Sequence, residues 1–276
     1  MDELILKREF TQKTLKSHQA IIRRLHDGGY VYPMKQRENI IDLIAFLSQY
    51  PKANVRQSLL NTIIVCRDIA EKPNIKMKQL RIVIAKEAKV DNVKVMNTLG
   101  ETLIKKDDFK SLLDESYDNK EWIKYILNYL WFNYGVRNQD VDLTFAKTKS
   151  AMTDITKNYL YVKLKQVVFV RNAYKTSATY GKQSHIITDH KFITACLNQY
   201  QLSATLFNGK LIGNAVRKYI INGMLESHIF KMLIADAVGR KDTDEINRLS
   251  TSRGTAIDTI KEYYDINAVV DVIREN

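Results

Sequence analysis

Apolar residues recur at three- and four-residue intervals along most of this chain, and this spacing constrains its fold more than any other feature. Leu15, His18, Ile22 and Leu25 repeat on one helical face, and the Gly28–Gly29 pair closes that helix. Comparable faces continue to residue 103, with all three prolines between them. The same spacing returns at residue 189 and persists to residue 270. The sequence therefore predicts a mainly α-helical protein.

One stretch departs from the helical spacing. The segments Tyr159–Val162 and Val167–Val170 are rich in β-branched and aromatic residues, as strands are, and His185–Thr188 is a third short candidate. A long basic connection, Arg171–Lys182, joins the last two of these segments. They predict a small antiparallel sheet or β-hairpin within the helical framework.

A polar segment, Asp114–Lys120, interrupts the apolar pattern and predicts a domain boundary. We expect a helical first domain over residues 1–115 and a second domain over residues 120–276, which carries the sheet. The length of 276 residues is enough to bury a core, and by itself it allows one large domain or two modest ones.

The charge balance indicates a polyanionic partner. With 43 Lys and Arg against 31 Asp and Glu, the formal net charge is +12. Lysine and arginine release counterions when they bind phosphates, which gives affinity for nucleic acid of any sequence. Membrane headgroups are the competing polyanion, but no apolar run approaches the roughly 18 residues of a spanning helix. We therefore expect nucleic acid, and no membrane, as the partner.

Cysteine, histidine and the first residues bear on the compartment and on metals. Only two cysteines are present, Cys66 and Cys196, which fits a reducing compartment without a disulfide framework. The acidic start Met1–Leu4 lacks the basic-then-apolar order of a secretory signal, so we expect an intracellular protein. The five histidines share no metal-ligand spacing with a cysteine, and we predict no structural zinc.

A series of cations followed by a tyrosine pair carries the candidate chemistry. Arg137 follows an apolar helix within the motif Gly135–Asp140, where a turn can aim its side chain and Asp140 can orient its guanidinium. Lys175 lies in the basic connection after a strand, with Lys182 as its rival there. Taken singly, these residues are also what an ordinary helix end and a solvated turn contain.

Three further sets lie towards the C-terminus. His228 and Lys231 are three residues apart on one face of an apolar helix, where burying both requires a compensating partner. Arg253 lies in the segment Ser252–Thr255, and the pair Tyr263–Tyr264 follows it. Cations stabilise the negative charge that grows on a reacting phosphate, and a phenol can form a covalent intermediate. The order of these residues thus suits covalent attack on a phosphodiester.

Taken together, these motifs resemble the tyrosine recombinase (phage integrase) family over nearly the whole chain. The motif Gly135–Asp140 matches its first arginine box, Gly-x-Arg-x-x-Glu/Asp, and Val167–Ile187 is similar to its β-hairpin, with Lys175 at the lysine position. His228–Lys231 stands where the family has His-x-x-Arg, with lysine in place of arginine. Arg217 is the alternative for that arginine.

The closing segment departs from the family at one position. Gly254 and Thr255 lie nine residues before Tyr263 and Tyr264, respectively, where the family has histidine or tryptophan. Arg253 can supply the missing cation. The pattern that ends at Tyr263 resembles the last motif of the family, which favours Tyr263 as the nucleophile and leaves Tyr264 as the alternative.

The resemblance implies a helical core-binding domain and a catalytic domain that together clamp double-stranded DNA. Tyr263 would attack the scissile phosphate and leave a 3′-phosphotyrosine, and Lys175 would protonate the leaving 5′ oxygen. The residues that would hold or position the phosphate oxygens are Arg137, His228, Lys231 and Arg253.

The resemblance also implies no metal, no cofactor and several protomers assembled on DNA, with residues 265–276 free to dock on a neighbouring protomer. The implied function is site-specific cleavage and rejoining of DNA, as in recombination or integration. A type IB topoisomerase is one alternative, and a recombinase-like protein that binds DNA without cutting it is the other. The high content of Lys, Ile, Asn and Tyr is typical of an AT-rich genome, such as that of a virus or mobile element.

Overall fold

The computed structural model describes residues 1–30, 40–207 and 216–263, with the backbone alone over residues 92–102 and 261–263. The chain divides into two compact units, Met1–Thr98 and Leu99–Asn276. Its described residues are mostly helical and include one small sheet, which lies in the second unit. In the described ranges, no helix is both long and apolar enough to cross a membrane.

The first unit is built from amphipathic helices. The Thr11 hydroxyl accepts the N–H of Thr14 and caps the start of the helix that Gly28 ends, as the sequence predicts. Leu25 and Leu60 are fully buried in its core. Its helices are α1 (Asp2–Ile5), α2 (Gln12–Asp27), α3 (Ile40–Ser48), α4 (Ala53–Ile69) and α5 (Ile75–Thr102).

The second unit surrounds one nearly all-apolar helix. This helix buries Leu127, Leu130 and Trp131, and its Tyr129 ring lies 4.4 Å from that of Phe192. The helices of the second unit are α6 (Lys106–Asp118), the apolar α7 (Trp122–Tyr134), α8 (Ser177–Tyr180), α9 (His190–Leu202), α10 (Glu226–Gly239), α11 (Thr243–Arg253) and α12 (Ile257–Tyr263).

The predicted domain boundary lies beside a helix of the second unit. Phe109 and Leu113 of α6 are buried in the core of that unit. The polar residues from Asp114 to Asp118 form the last turn of α6, and Asn119 and Lys120 follow it. The division into compact units falls between Thr98 and Leu99, and the boundary at Asp114–Lys120 stays a prediction.

The sheet has four strands in the order β1 (Leu143–Ala146), β2 (Asn158–Lys163), β3 (Gln166–Arg171) and β4 (Gln183–Ile187). The pairs β2–β3 and β3–β4 are antiparallel, as predicted. However, β1 pairs with β2 in parallel, so the prediction of a purely antiparallel sheet is wrong. A strand of four residues is too short for its alternation to be read, and its partner is reached only through residues 147–157.

Candidate functional site

Several segments of the second unit meet at the turn that follows α11. The Arg137 guanidinium donates to the carbonyl oxygen of Arg253 at 2.5 Å and to the hydroxyl of Thr255 at 2.8 Å. The Thr176 hydroxyl donates to the carbonyl oxygen of Gly254 at 3.0 Å. The last carbonyls of a helix lack partners within it, and Gly254 adopts the left-handed conformation that ends α11. Side chains from distant segments satisfy this helix end.

Arg253 makes the reciprocal contact with the end of α7. Its guanidinium donates to the carbonyl oxygen of Gly135 at 2.8 Å and to Glu226 at 2.7 Å. The side chain lies over the Phe230 ring at 4.2 Å, and the residue is only 2% exposed. The sequence predicts a phosphate contact for Arg253, whereas this enclosure favours a role in holding the C-terminus of α7.

Asp140 and Arg171 form a fully buried ion pair behind Arg137. The two side chains are 0% exposed and 2.6 Å apart. The same Asp140 oxygen accepts the backbone N–H of Arg137 at 3.0 Å. The sequence predicts that Asp140 orients the Arg137 guanidinium, and the structure shows a contact of Asp140 with the backbone of Arg137.

Arg171 links four segments that carry candidate residues. Besides Asp140, its guanidinium donates to Gln183 at 2.6 Å and to the carbonyl oxygen of Ser252, and it lies over the Tyr174 ring at 4.4 Å. Burial lowers the pKa of Arg171, and the Asp140 carboxylate opposes that shift. Arg171 is not among the site residues that the sequence predicts. The available signal is a lone arginine that directly follows the apolar strand residues 167–170, since a charge beside a buried strand requires a partner.

Lys175 is exposed on a loop that is anchored on both sides. Tyr174 is buried, and its hydroxyl donates to the carbonyl oxygen of Gly181 at 2.6 Å. Thr176 is the residue that binds Gly254. The loop therefore presents the Lys175 side chain to solvent next to the turn that Arg137 contacts.

His228 and Lys231 lie on another side of α10. Glu226 and Phe230 of this helix contact Arg253. At about 100° per residue, His228 and Lys231 are roughly 140–200° around the helix from Glu226. The structure thus brings the neighbourhoods of Arg137, Lys175 and Arg253 together, whereas His228 and Lys231 occupy other angular positions on α10 than Glu226.

The His228 face has its own electrostatic environment. Burial lowers the pKa of His228, and the nearby charges of Lys231 and Arg217 lower it further. Burial also lowers the pKa of Lys231. Arg217, the alternative for the second arginine, is exposed and donates to the carbonyl oxygen of Gly223 at 3.3 Å. Both candidates for that position therefore influence the same histidine.

Tyr263 is the last residue of α12, and its backbone is described. This helix starts two residues after Thr255, and its Ile260 is 1% exposed within the core. Tyr264 and the predicted docking tail, residues 265–276, lie outside the described residues.

A groove of about 610 Å³ lies between β4 and α11. Tyr134, His185 and Arg248 contribute to its lining, and the Tyr134 and His185 ring centroids are 4.6 Å apart. Burial lowers the pKa of His185 to about 4, and Arg171 and Arg248 add to the shift. In the part of the chain that the structure describes, no group of three His, Cys, Asp or Glu side chains is arranged to hold a metal ion.

Comparisons with known proteins give one result. No family model matches the chain, and no curated protein matches it. Among solved structures, the chain is similar to the crystal structure of XerA recombinase, with 11% sequence identity and a TM-score of 0.35. The similarity covers 99% of this chain and 95% of that one.

Proposed function

We propose that this protein cleaves and rejoins double-stranded DNA through a 3′-phosphotyrosine intermediate, as a tyrosine recombinase does. One observation carries the proposal. Arg137 and the loop of Lys175 both contact the turn Arg253–Thr255, from which α12 leads to Tyr263. The seven residues of α12 span only about 9–10 Å, which limits the distance along the helix between its start near the turn and the backbone of Tyr263.

The proposed reaction exchanges one phosphate ester for another. The Tyr263 oxygen forms a bond to phosphorus, its phenolic proton passes to solvent, and the bond from phosphorus to the 5′ oxygen breaks. Lys175 gives that oxygen a proton, which leaves a free 5′-hydroxyl. The Arg137 charge stabilises the phosphate oxygens as negative charge grows on them. Rejoining is the reverse, with the 5′-hydroxyl as nucleophile.

The remaining candidates take supporting roles in this proposal. Arg253 and Asp140 hold the helix end and the backbone of Arg137. Lys231, or Arg217 in its place, is the proposed second phosphate cation, with His228 beside it, and this part of the site requires DNA to approach α10. The first unit supplies phosphate contacts through exposed cations such as Lys13, Lys16 and Arg23 of α2, and these contacts act on any DNA sequence. We propose that protomers assemble on DNA.

A second candidate function is DNA binding without cleavage. The enclosure of Arg253 and the separate position of His228 and Lys231 on α10 favour it, because fewer cations then surround the turn. The net charge of +12 supports DNA binding in either case.

The test is covalent trapping on nicked duplexes in the presence of a chelator. We expect the wild-type chain to give a protein–DNA band that survives denaturant and disappears with protease. Tyr263→Phe should abolish that band, and the matched variant Tyr264→Phe should retain it.

Each other result redirects the proposal. Loss of the band only in Tyr264→Phe would make Tyr264 the nucleophile. Salt-sensitive binding without any band from the wild-type chain would favour the binding protein. Relaxation of a supercoiled plasmid by the isolated monomer would favour the topoisomerase alternative.

A further inference from the structure

Four exposed lysines and one leucine cluster at the end of the sheet that is remote from the candidate site. We call this group the lysine tip. Leu164 is 87% exposed, and the residues beside it in the β2–β3 turn are charged. The lysines of the tip are Lys147, Lys149, Lys163 and Lys165.

The strand register brings these lysines together. Lys163 pairs with Gln166, so Leu164 and Lys165 form a two-residue hairpin turn. Ala146 of β1 pairs with Tyr161 of the parallel strand β2, and Lys147 is the next residue along the chain. Neighbouring strands lie about 4.8 Å apart, so Lys147 emerges one strand away from the hairpin turn.

The lysine tip has no compensating acid among the described residues. None of its four lysines forms an ion pair with a carboxylate in the part of the chain that is described. The Lys147 ammonium instead lies 4.8 Å from the centre of the Tyr200 ring, and that of Lys163 lies 4.9 Å from the Tyr161 ring. The tip therefore combines unneutralised positive charge with flat aromatic surfaces.

The tip is separate from the candidate site. Asn158 begins β2 and donates to the carbonyl oxygens of Asp140 and Ala173, while Arg171 ends β3. Five residue steps along either strand place the tip about 17 Å from that end. A phosphate bound near Arg137 consequently leaves the tip unoccupied.

We infer that the lysine tip is a second contact surface for the phosphate backbone of double-stranded DNA. Lysines are point charges that suit phosphates, and clustered unpaired lysines give affinity through counterion release. An anionic membrane is less well matched, because stable membrane binding needs buried apolar area and the apolar residue exposed in the turn is a single leucine. The inference rests on the proposed function only for the choice of DNA as the polyanion.

The experiment measures equilibrium DNA binding in a Tyr263→Phe background, so that its result does not depend on cleavage. Affinity is measured by fluorescence anisotropy at salt concentrations from roughly 50 to 200 mM. Lys163→Ala/Lys165→Ala should reduce the slope of log affinity against log salt by about 1.8, at about 0.9 per lost phosphate contact. The control Lys105→Ala/Lys110→Ala removes the same charge from two exposed positions, one directly before α6 and one on it, and its slope should not change.

Three outcomes would overturn the inference. The first is an unchanged slope in the tip variant, and the second is an equal loss of slope in the control. The third is loss of binding to phosphatidylserine vesicles without any change in the DNA slope, which would identify a lipid surface as the partner. The two proposals can fail separately. If no covalent band forms in the trapping experiment but the tip variant still has a smaller slope of log affinity against log salt, the proposed cleavage is refuted and the DNA contact at the lysine tip is supported.

Discussion

Replacing Arg171 by methionine should be among the most destabilising single changes in the second unit. The substitution keeps much of the side-chain volume but leaves the Asp140 carboxylate buried without its cation. Removing one member of a buried pair costs about 3–5 kcal/mol. For a unit of this size, with about 2–4 °C per kcal/mol, the expected loss in Tm is roughly 6–20 °C. Circular dichroism melts and urea titrations measure both quantities.

The control for that variant is Arg240→Met. Arg240 pairs with Asp236 at 2.9 Å, but its side chain is 49% exposed, so the change should cost far less than Arg171→Met. The double variant Arg171→Met/Asp140→Leu should recover part of the loss, because it removes the stranded charge as well. If Arg171→Met lowered the free energy of unfolding no more than Arg240→Met does, the buried Asp140–Arg171 pair would not stabilise the second unit as argued.

Two other predictions concern stability. The folded pKa of His185 is about 4 against an ordinary value of 6.5, so the free energy of unfolding should fall as the pH drops from about 6.5 to 4. Partial exposure of the ring limits this loss to about 1–2 kcal/mol. In melts across that pH range, His185→Phe should remove the loss. Gly135→Ala should cost about 2–3 kcal/mol in urea titrations, because Gly135 has a φ of 56° and an added Cβ would lie 2.8 Å from the Phe230 ring. Gly239→Ala meets no neighbour, so an equal cost there would contradict this explanation.

The helices and the hairpin were predictable because their signals are local. Apolar spacing and the Gly28–Gly29 stop predict α2, and β-branched residues predict β2 and β3. By contrast, β1 has only four residues, and its parallel partner lies beyond a long connection. Its existence depends on tertiary pairing that no local pattern contains.

The candidate site, too, could be predicted only in part from the sequence. The motif around Arg137 and the loop position of Lys175 could be found from the sequence, and both adjoin one turn in the structure. The role of Arg171 could not be found, because its hydrogen-bond partners are 12 to 81 residues away along the chain. Sequence spacing likewise could not show that Glu226 is the residue of α10 that binds Arg253.

The exchange of arginines between α7 and α11 bears on how the second unit folds. Arg137 completes the end of α11, and Arg253 completes the end of α7, across sequence separations of 116 to 118 residues. Gly135 and Gly254 close the two helix ends locally, and each end also receives an arginine donor from a distant part of the sequence, a contact of high loop-closure cost. If either helix end frays, the carbonyl oxygens at the other end lose the arginine that donates to them. The two ends should therefore open together in hydrogen exchange, as one cooperative element.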